Sequence, residues 1–421
     1  MYQVESSRTL LQPRPAATRR RSLRVPRTVV LLGVTSLFTD VSSEMVTTVL
    51  PLYVFFALGA SPLQVSLVDG LYQGATAILR VAGGFVADRW RRHKEVAAVG
   101  YGISAVCKLG LFALGGALGA VASIIVVDRA GKGLRTGPRD AMISFSSSRE
   151  GLATAFGVHR ALDTAGAMLG PLIAFGMLLL APRDFHSVFL VSFCFALLGL
   201  SVLVLLVEPA RRARHRAAGS QSWQAAKRAM AAGPFRRLVI AGMVLSLATI
   251  SDGLFYLGLQ RRLDFDLSVF PLLFVGTAVV YMTLAVPAGQ LADRIGRGKV
   301  LVGAYLLLIP VYAALLVTSL PVLGLAACLL LLGAWYAATD GVLAALASAE
   351  LPEDARATGL SVLGAVTGLA RLVSALLFGA LWTVAGIQVA AIVFAGLLVV
   401  AALTAALLIR HDSDIAPEAA A

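Results

Sequence analysis

Long apolar runs follow one another along this chain, parted by short charged or glycine-bearing breaks, and they constrain the fold more than any single motif. Crossing ~30 Å of hydrocarbon takes about 20 helical residues. Twelve runs meet that length, at 28–58, 64–87, 95–117, 119–148, 152–180, 187–207, 237–263, 268–292, 299–319, 321–349, 356–384 and 388–410. Lipid offers a peptide group no hydrogen-bond partner, so each run is expected to satisfy itself as a helix; no segment alternates as barrel strands would. The expected fold class is an all-α polytopic membrane protein with 12 transmembrane helices.

Basic residues outnumber acidic ones, 36 to 23, giving a net charge of +13. Such an excess suits a nucleic-acid binder, yet only 14% of residues are charged, against about 25% in soluble domains. The bases gather at the ends of apolar runs, which is a topology signal, so no nucleic-acid partner is expected. Arg8, Arg14, Arg19, Arg20, Arg21, Arg24 and Arg27, then Arg89, Arg91, Arg92 and Lys94, then Arg294, Arg297 and Lys299 all fall on one side. Loops near 59, 118, 320 and 386 carry none, leaving Arg183, Arg261 and Arg262 as exceptions. Both termini are therefore expected in the cytoplasm. Residues 1–27 read as a disordered basic arm at an anionic membrane face, because no short apolar core with a cleavage site follows, as an export signal would need. Residues 411–421 read as a cytoplasmic tail.

A basic stretch at 208–236 divides the runs six and six, and the halves repeat. GGFVADRWRRHKEV at 83–96 recurs as AGQLADRIGRGKVL at 288–301, and SREGLATAFG at 148–157 as PEDARATGLS at 352–361. Two homologous bundles are expected, 28–207 and 237–410, joined by the 208–236 linker, with a binding site between them near the bilayer midplane.

The repeated loop resembles a signature of the major facilitator superfamily, G-x-x-x-D-R-x-G-R-+, where + is a basic residue. Gly289, Asp293, Arg294, Gly296 and Arg297 fit it, followed by Gly298 and Lys299. Gly84, Asp88, Arg89 and Arg92 form the first copy, with Arg91 where the second glycine belongs. The glycine is expected to let helices approach, and the aspartate to pair with arginine or cap a neighbouring helix, so that the motif holds a gate. In the fifth run, Gly157, Gly166, Gly170 and Pro171 resemble G-x8-G-x3-G-P-x2-G-G of the antiporter branches, although Ala174 and Phe175 replace the last glycines. The resemblance covers about 28–410 and implies the family's fold of two pseudo-symmetric six-helix bundles, as a monomer in a bacterial cytoplasmic (inner) membrane.

Residues 126–142, VVDRAGKGLRTGPRDAM, put charge where lipid is expected. A phosphate loop is excluded, because GKG lacks both the following Ser or Thr and the four-residue spacer. Asp128, Lys132, Arg135 and Arg139 share one helical face, which must look into the bundle. Partners at comparable depth are Asp40 and Glu44 on helix 1, Asp69 and Arg80 on helix 2, and His159, Arg160 and Asp163 on helix 5. Much of the stretch is thus expected to be an internal ion-pair network. Its pattern D-R-x-G-K-G-x-R-x-x-P-R-D-A, with FTDVSSEMVTTVLP at 38–51, also resembles an uncharacterised group of bacterial facilitator permeases. The second half holds Asp252, Asp340 and Arg371, with Asp340 and Arg371 expected to pair, and Phe255, Tyr256, Tyr281, Trp335 and Tyr336 as cavity or packing aromatics.

Together these features lead to the expectation of a proton-coupled antiporter exporting a small drug-like or metabolite solute by alternating access. Asp40, Glu44, Asp128 and Asp163 are the proton-coupling candidates, since two carboxylates four apart, such as Asp40 and Glu44, disfavour double ionisation. Arg129, Lys132, Arg135, His159, Arg160, Asp252, Tyr256, Trp335, Asp340 and Arg371 are the cavity candidates. The alternative is a proton-coupled carrier of an anionic metabolite bound at the basic face of helix 4. An enzyme is not expected, because no nucleophile or carboxylate constellation converges. No metal site is expected either, since His, Cys and Met do not cluster and Cys107, Cys194 and Cys328 are isolated in apolar runs. The expected partners are a solute, protons and the bilayer, with the proton gradient in place of any cofactor.

Overall fold

The computed structural model describes residues 25–74, 92–114, 116–147, 152–208, 227–231, 233–352 and 356–413. They are helical throughout the spans, with no strand among them. In chain order the helices are α1 (Arg27–Leu52, continued by a π turn Tyr53–Ala57), α2 (62–74), α3 (His93–Leu114), α4 (Leu118–Ser146), α5 (Leu152–Leu180) and α6 (Phe185–Ser201). After the basic stretch come α7 (Pro234–Leu247), α8 (Asp252–Leu263), α9 (Phe270–Ile295), α10 (Arg297–Leu306), α11 (Leu308–Ala313), α12 (Val322–Ala349), α13 (Arg356–Ala385) and α14 (Ile387–Ser413). Among the described residues, nine spans are long and apolar enough to cross a bilayer.

Two expected spans are broken. The run at 237–263 parts into α7 and α8 across Ala248–Ser251, and the run at 299–319 parts into α10 and α11 at Leu307. Pro310 explains the second break, because it has no N–H to continue the ladder and its ring crowds the preceding turn. The first contains no proline, and tertiary partners hold it. Tyr312 accepts from the Ile250 amide at 2.9 Å and donates to the Ala248 carbonyl at 3.2 Å. Ser374 donates to the Thr249 carbonyl at 2.6 Å, and Ser251 caps α8 by accepting from the Leu254 amide at 3.4 Å. Irregular backbone at membrane depth survives only where protein groups satisfy it in this way.

Within the first half α1 packs on α5 and α6, and α3 on α4. Glycine permits this closeness. A Cβ on Gly170 would sit 2.7 Å from the Val41 carbonyl, one on Gly166 would collide with the Leu37 carbonyl, and one on Gly100 or Gly131 would sit 2.7 Å from the other's carbonyl across α3 and α4. Ser42 and Ser192 add a buried hydroxyl bond between α1 and α6 at 2.9 Å.

The halves meet at the end remote from the termini. The Leu63 amide donates to Thr383 Oγ1 at 3.0 Å, Arg261 lies 5.2 Å from the Phe55 ring centre, and Gly70 and Gly74 of α2 abut Leu372 of α13. Nearer the termini Arg160 and Asp340 are exposed although both lie within spanning helices, and both neighbour Tyr281. Charges exposed there face water rather than lipid.

Candidate functional site

The charged residues of α4 point inward and find partners on four other helices. Asp128 is gripped by Lys108 of α3 and by Arg129 beside it. Arg129 in turn stacks 3.7 Å from the centre of the Tyr72 ring. Arg135 reaches toward Asp40 at 4.0 Å and lies 4.5 Å over Tyr101. Arg139 contacts Asp140 at 3.0 Å and Asp163 at 3.7 Å, and donates to Ser36 at 3.2 Å. Ser36 also bonds His159 Nε2 at 3.0 Å, in a fully buried position. Each isolated charge would be costly to bury, and the pairing removes most of that cost.

Between the halves lies a cavity of about 150 Å³, walled by α1, α2, α8 and α9. Its polar lining is Glu44, Thr47, Asp69, Tyr72, Gln73 and Asp252; Leu50, Pro51, Val54 and Phe274 contribute apolar surface. Among the described residues, no Lys or Arg lines it. Thr47 and Tyr72 join their hydroxyls across α1 and α2, while Tyr336 donates to Asp252 at 2.8 Å. Asp69 lies against the start of α8, and its Oδ2 is buried without a partner. Gly253 makes this approach possible, because a Cβ there would lie 3.0 Å from Asp69 Oδ1. The broken span therefore turns the N-terminus of α8, which favours negative charge, toward a carboxylate of the opposite half.

Of the residues expected at the site, the cavity gathers Glu44 and Asp252. Arg129 and Arg135 do not line it; both are buried and engaged as described. Lys132 is half-buried and faces Asp40 and Glu44. Tyr256 and Trp335 are core residues, Tyr256 bonding Thr277 at 2.6 Å and Trp335 meeting Tyr305 edge to face. Arg371 faces Tyr336, Tyr305 and Asp252 as well as Asp340, which takes its hydrogen bond from Tyr281 at 3.4 Å, so the expected Asp340–Arg371 pair is not a direct one. Lys108, Tyr72 and Asp69 take the places that sequence reasoning left unassigned or secondary. Asp69 was already legible as a deep charge on helix 2, and Lys108 carried a signal of its own, as a lone cation in an apolar run.

The gating motifs divide. Gly84, Asp88 and Arg89, like Arg80, lie outside the described residues, and Arg92 is exposed beside the start of α3. In the second copy Gly296 adopts φ +105°, ending α9 and opening α10, and Arg297 returns to Asp293 at 2.8 Å; Arg294 is exposed. Gly289 has open space where a Cβ would go, so it is not the close-approach glycine expected of it. On α5, Gly166 and Gly170 press on α1 and Pro171 stands within the helix, but Gly157 touches nothing that a Cβ would disturb. Cys107, Cys194 and Cys328 are free thiols.

Comparison with known proteins agrees with this architecture. The family model described as Major Facilitator Superfamily matches residues 32–276 and 239–420. An uncharacterized MFS-type transporter of Methanocaldococcus jannaschii is 31% identical over 365 residues, covering 85% of this chain and 89% of that protein. Among solved structures, the nucleoside transporter NupG superposes with a TM-score of 0.75 at 15% identity, covering 91% of this chain and 99% of the other. A POT family transporter in complex with 5-aminolevulinic acid also gives 0.75 at 15% identity, covering 93% and 97%. At such identities the structural likeness speaks for the fold alone.

Proposed function

The chain belongs to the major facilitator superfamily, and on that footing we propose that it exports a small, positively charged organic solute in exchange for protons. It is a multi-pass membrane transporter rather than an enzyme. One observation carries the choice of cargo: among the described residues, the cavity between the halves presents Glu44, Asp69 and Asp252 and no basic side chain. A protonated amine would satisfy these carboxylates, and its hydrocarbon body would rest on Leu50, Pro51, Val54 and Phe274.

Exchange arises from competition, because a carboxylate that neutralises a cationic cargo can be neutralised by a proton instead. With both termini in the cytoplasm, as the arginine distribution favours, the end where the Leu63 amide meets Thr383 faces out. The glycines of α5 that press on α1 provide a tight pivot against the helix bearing Glu44. The protein is taken to act as a monomer in a bacterial cytoplasmic membrane. Carriage of an anionic metabolite on α4 is the weaker reading, because Arg129 and Arg135 are already engaged by Asp128 and Asp40.

Proteoliposomes with an imposed pH gradient test the proposal, using amine-bearing, neutral and anionic solutes. Amines should collapse the gradient, and Glu44→Gln and Asp252→Asn should weaken the response at least tenfold, equivalent to about 1.4 kcal/mol. Collapse evoked by anions and untouched by these substitutions would reject the reading.

A further inference from the structure

The ion cluster on α3 and α4 is unbalanced. Lys108 and Arg129 share the one carboxylate of Asp128, and neither makes another ion pair among the described residues. Two cations on one anion leave a net positive charge, and all three residues are buried. The cavity beside them has the opposite sign, with Glu44, Asp69 and Asp252 in its wall.

Tyr72 of α2 touches both. Its side chain lines the cavity, while the guanidinium carbon of Arg129 lies 3.7 Å from its ring centre. At that distance no atom fits between ring and guanidinium, so a solute in the cavity meets the ring and not the N–H groups behind it. The negative face of the ring offsets part of the surplus charge. A guanidinium is a strong, geometrically matched partner for a carboxylate, and it is this contact that the ring denies to an anionic solute. Two features keep the ring in place. Its hydroxyl joins that of Thr47 on α1, which donates in turn to the Ser43 carbonyl at 2.8 Å. Gly70 and Gly74, two residues to either side, let α2 press on Leu372 of α13.

Resting on the cationic-cargo reading above, we propose that Tyr72 is the charge-selectivity residue of the cavity, an aromatic partition that keeps Arg129 out of reach of solutes. The preference for cations then depends on more than the carboxylates in the wall. Opening the partition would add a guanidinium to the same space, repelling an ammonium and giving a carboxylate a partner. The hydroxyl is not needed for this, because the flat ring alone separates the two sides.

Calorimetric titration of the full-length protein in lipid nanodiscs with butylammonium and butyrate, probes of opposite charge and like carbon chain, tests the partition. Wild type and Tyr72→Phe should bind butylammonium and not butyrate. Tyr72→Ala should bind butylammonium about tenfold more weakly and acquire butyrate binding. Adding Arg129→Met, which leaves Lys108 and Asp128 paired one to one, should remove the butyrate binding again. Glu44→Gln, with the ring intact, should weaken butylammonium without admitting butyrate. Butyrate binding to wild type, its absence from folded Tyr72→Ala, or its persistence without Arg129 overturns the proposal. Should Tyr72→Ala fail to fold by thermal melting, Tyr72→Leu against Tyr72→Phe decides: butyrate binding in the first and none in the second supports the partition, and any other pattern rejects it. Failure of the exchange reading looks different, with this pattern of binding intact while no amine collapses a pH gradient. If wild type binds neither probe, the cationic-cargo reading fails, and the gain of butyrate in Tyr72→Ala still decides the partition.

Discussion

Arg129 holds its guanidinium carbon 3.7 Å from the centre of the Tyr72 ring. Tyr72 walls the cavity and Arg129 completes the ion pair with Asp128, so the charge network and the cavity share this contact. A desolvated cation–π stack contributes ~2 kcal/mol. Tyr72→Leu should remove that stabilisation and weaken cargo binding, whereas Tyr72→Phe should keep the stack and lose only the hydroxyl contact with Thr47. Thermal unfolding of both variants, beside their KM for the amine that wild type transports best, checks the order.

Asp128 is the counterion of two buried cations, Lys108 and Arg129. Asp128→Asn should strand both and cost about 3–5 kcal/mol. Adding Lys108→Met to that variant should recover part of the loss, because one stranded charge disappears. Melting temperatures of the two variants in detergent decide it; a double variant no more stable than the single would contradict the pairing.

The α5 glycines that resemble one family motif should not behave alike. Gly170→Ala places a methyl against the Val41 carbonyl and the Glu44 side chain, and Gly166→Ala against the Leu37 backbone. Each should destabilise by about 1–3 kcal/mol and slow transport. Gly157→Ala meets no neighbour and should be neutral or stabilising by up to ~1 kcal/mol through helix propensity. Thermal melts and transport rates of the three variants provide the comparison.

The Leu63 amide and Thr383 hydroxyl join the halves at the end remote from the termini. Cysteines at both positions, in a background lacking Cys107, Cys194 and Cys328, should cross-link with a short bifunctional reagent and stop transport. Reversal by reductant with a cleavable reagent should restore it. Full transport by a fully cross-linked protein would show that this end need not open.

Asp184 lies in the turn before α6 and caps it, accepting from the Ser187 amide at 3.1 Å and from its hydroxyl. Those bonds hold its carboxyl below the usual range. A depressed folded value means the stabilisation is present above the unfolded value of ~3.9 and lost as pH falls through the folded one. Asp184→Ala should therefore cost about 0.5–2 kcal/mol near neutral pH, and the gap to wild type should close in acid, as followed by melting temperature.

Length and burial cost are one-dimensional quantities, so the features they govern were legible. Helical spans, the repeat, and the inward face of Asp128, Lys132, Arg135 and Arg139 all came from spacing and from the cost of placing charge in lipid. Partnership is a property of packing between helices far apart in sequence. Asp40 and Glu44 stand four residues apart and invited pairing, yet Asp40 faces Arg135 of another helix, and Glu44 turns to the cavity. Nothing near Ala248–Ser251 announces a break, because Tyr312 and Ser374, more than sixty residues away, supply the hydrogen bonds that permit it. The acidic character of the cavity likewise arises only when α2 and α8, from opposite halves, bring Asp69 beside Asp252. Sequence alone determined that this chain crosses the membrane many times with charge buried inside; tertiary structure decided which charges cancel and which remain to meet a solute, since that depends on distances of a few ångströms between helices.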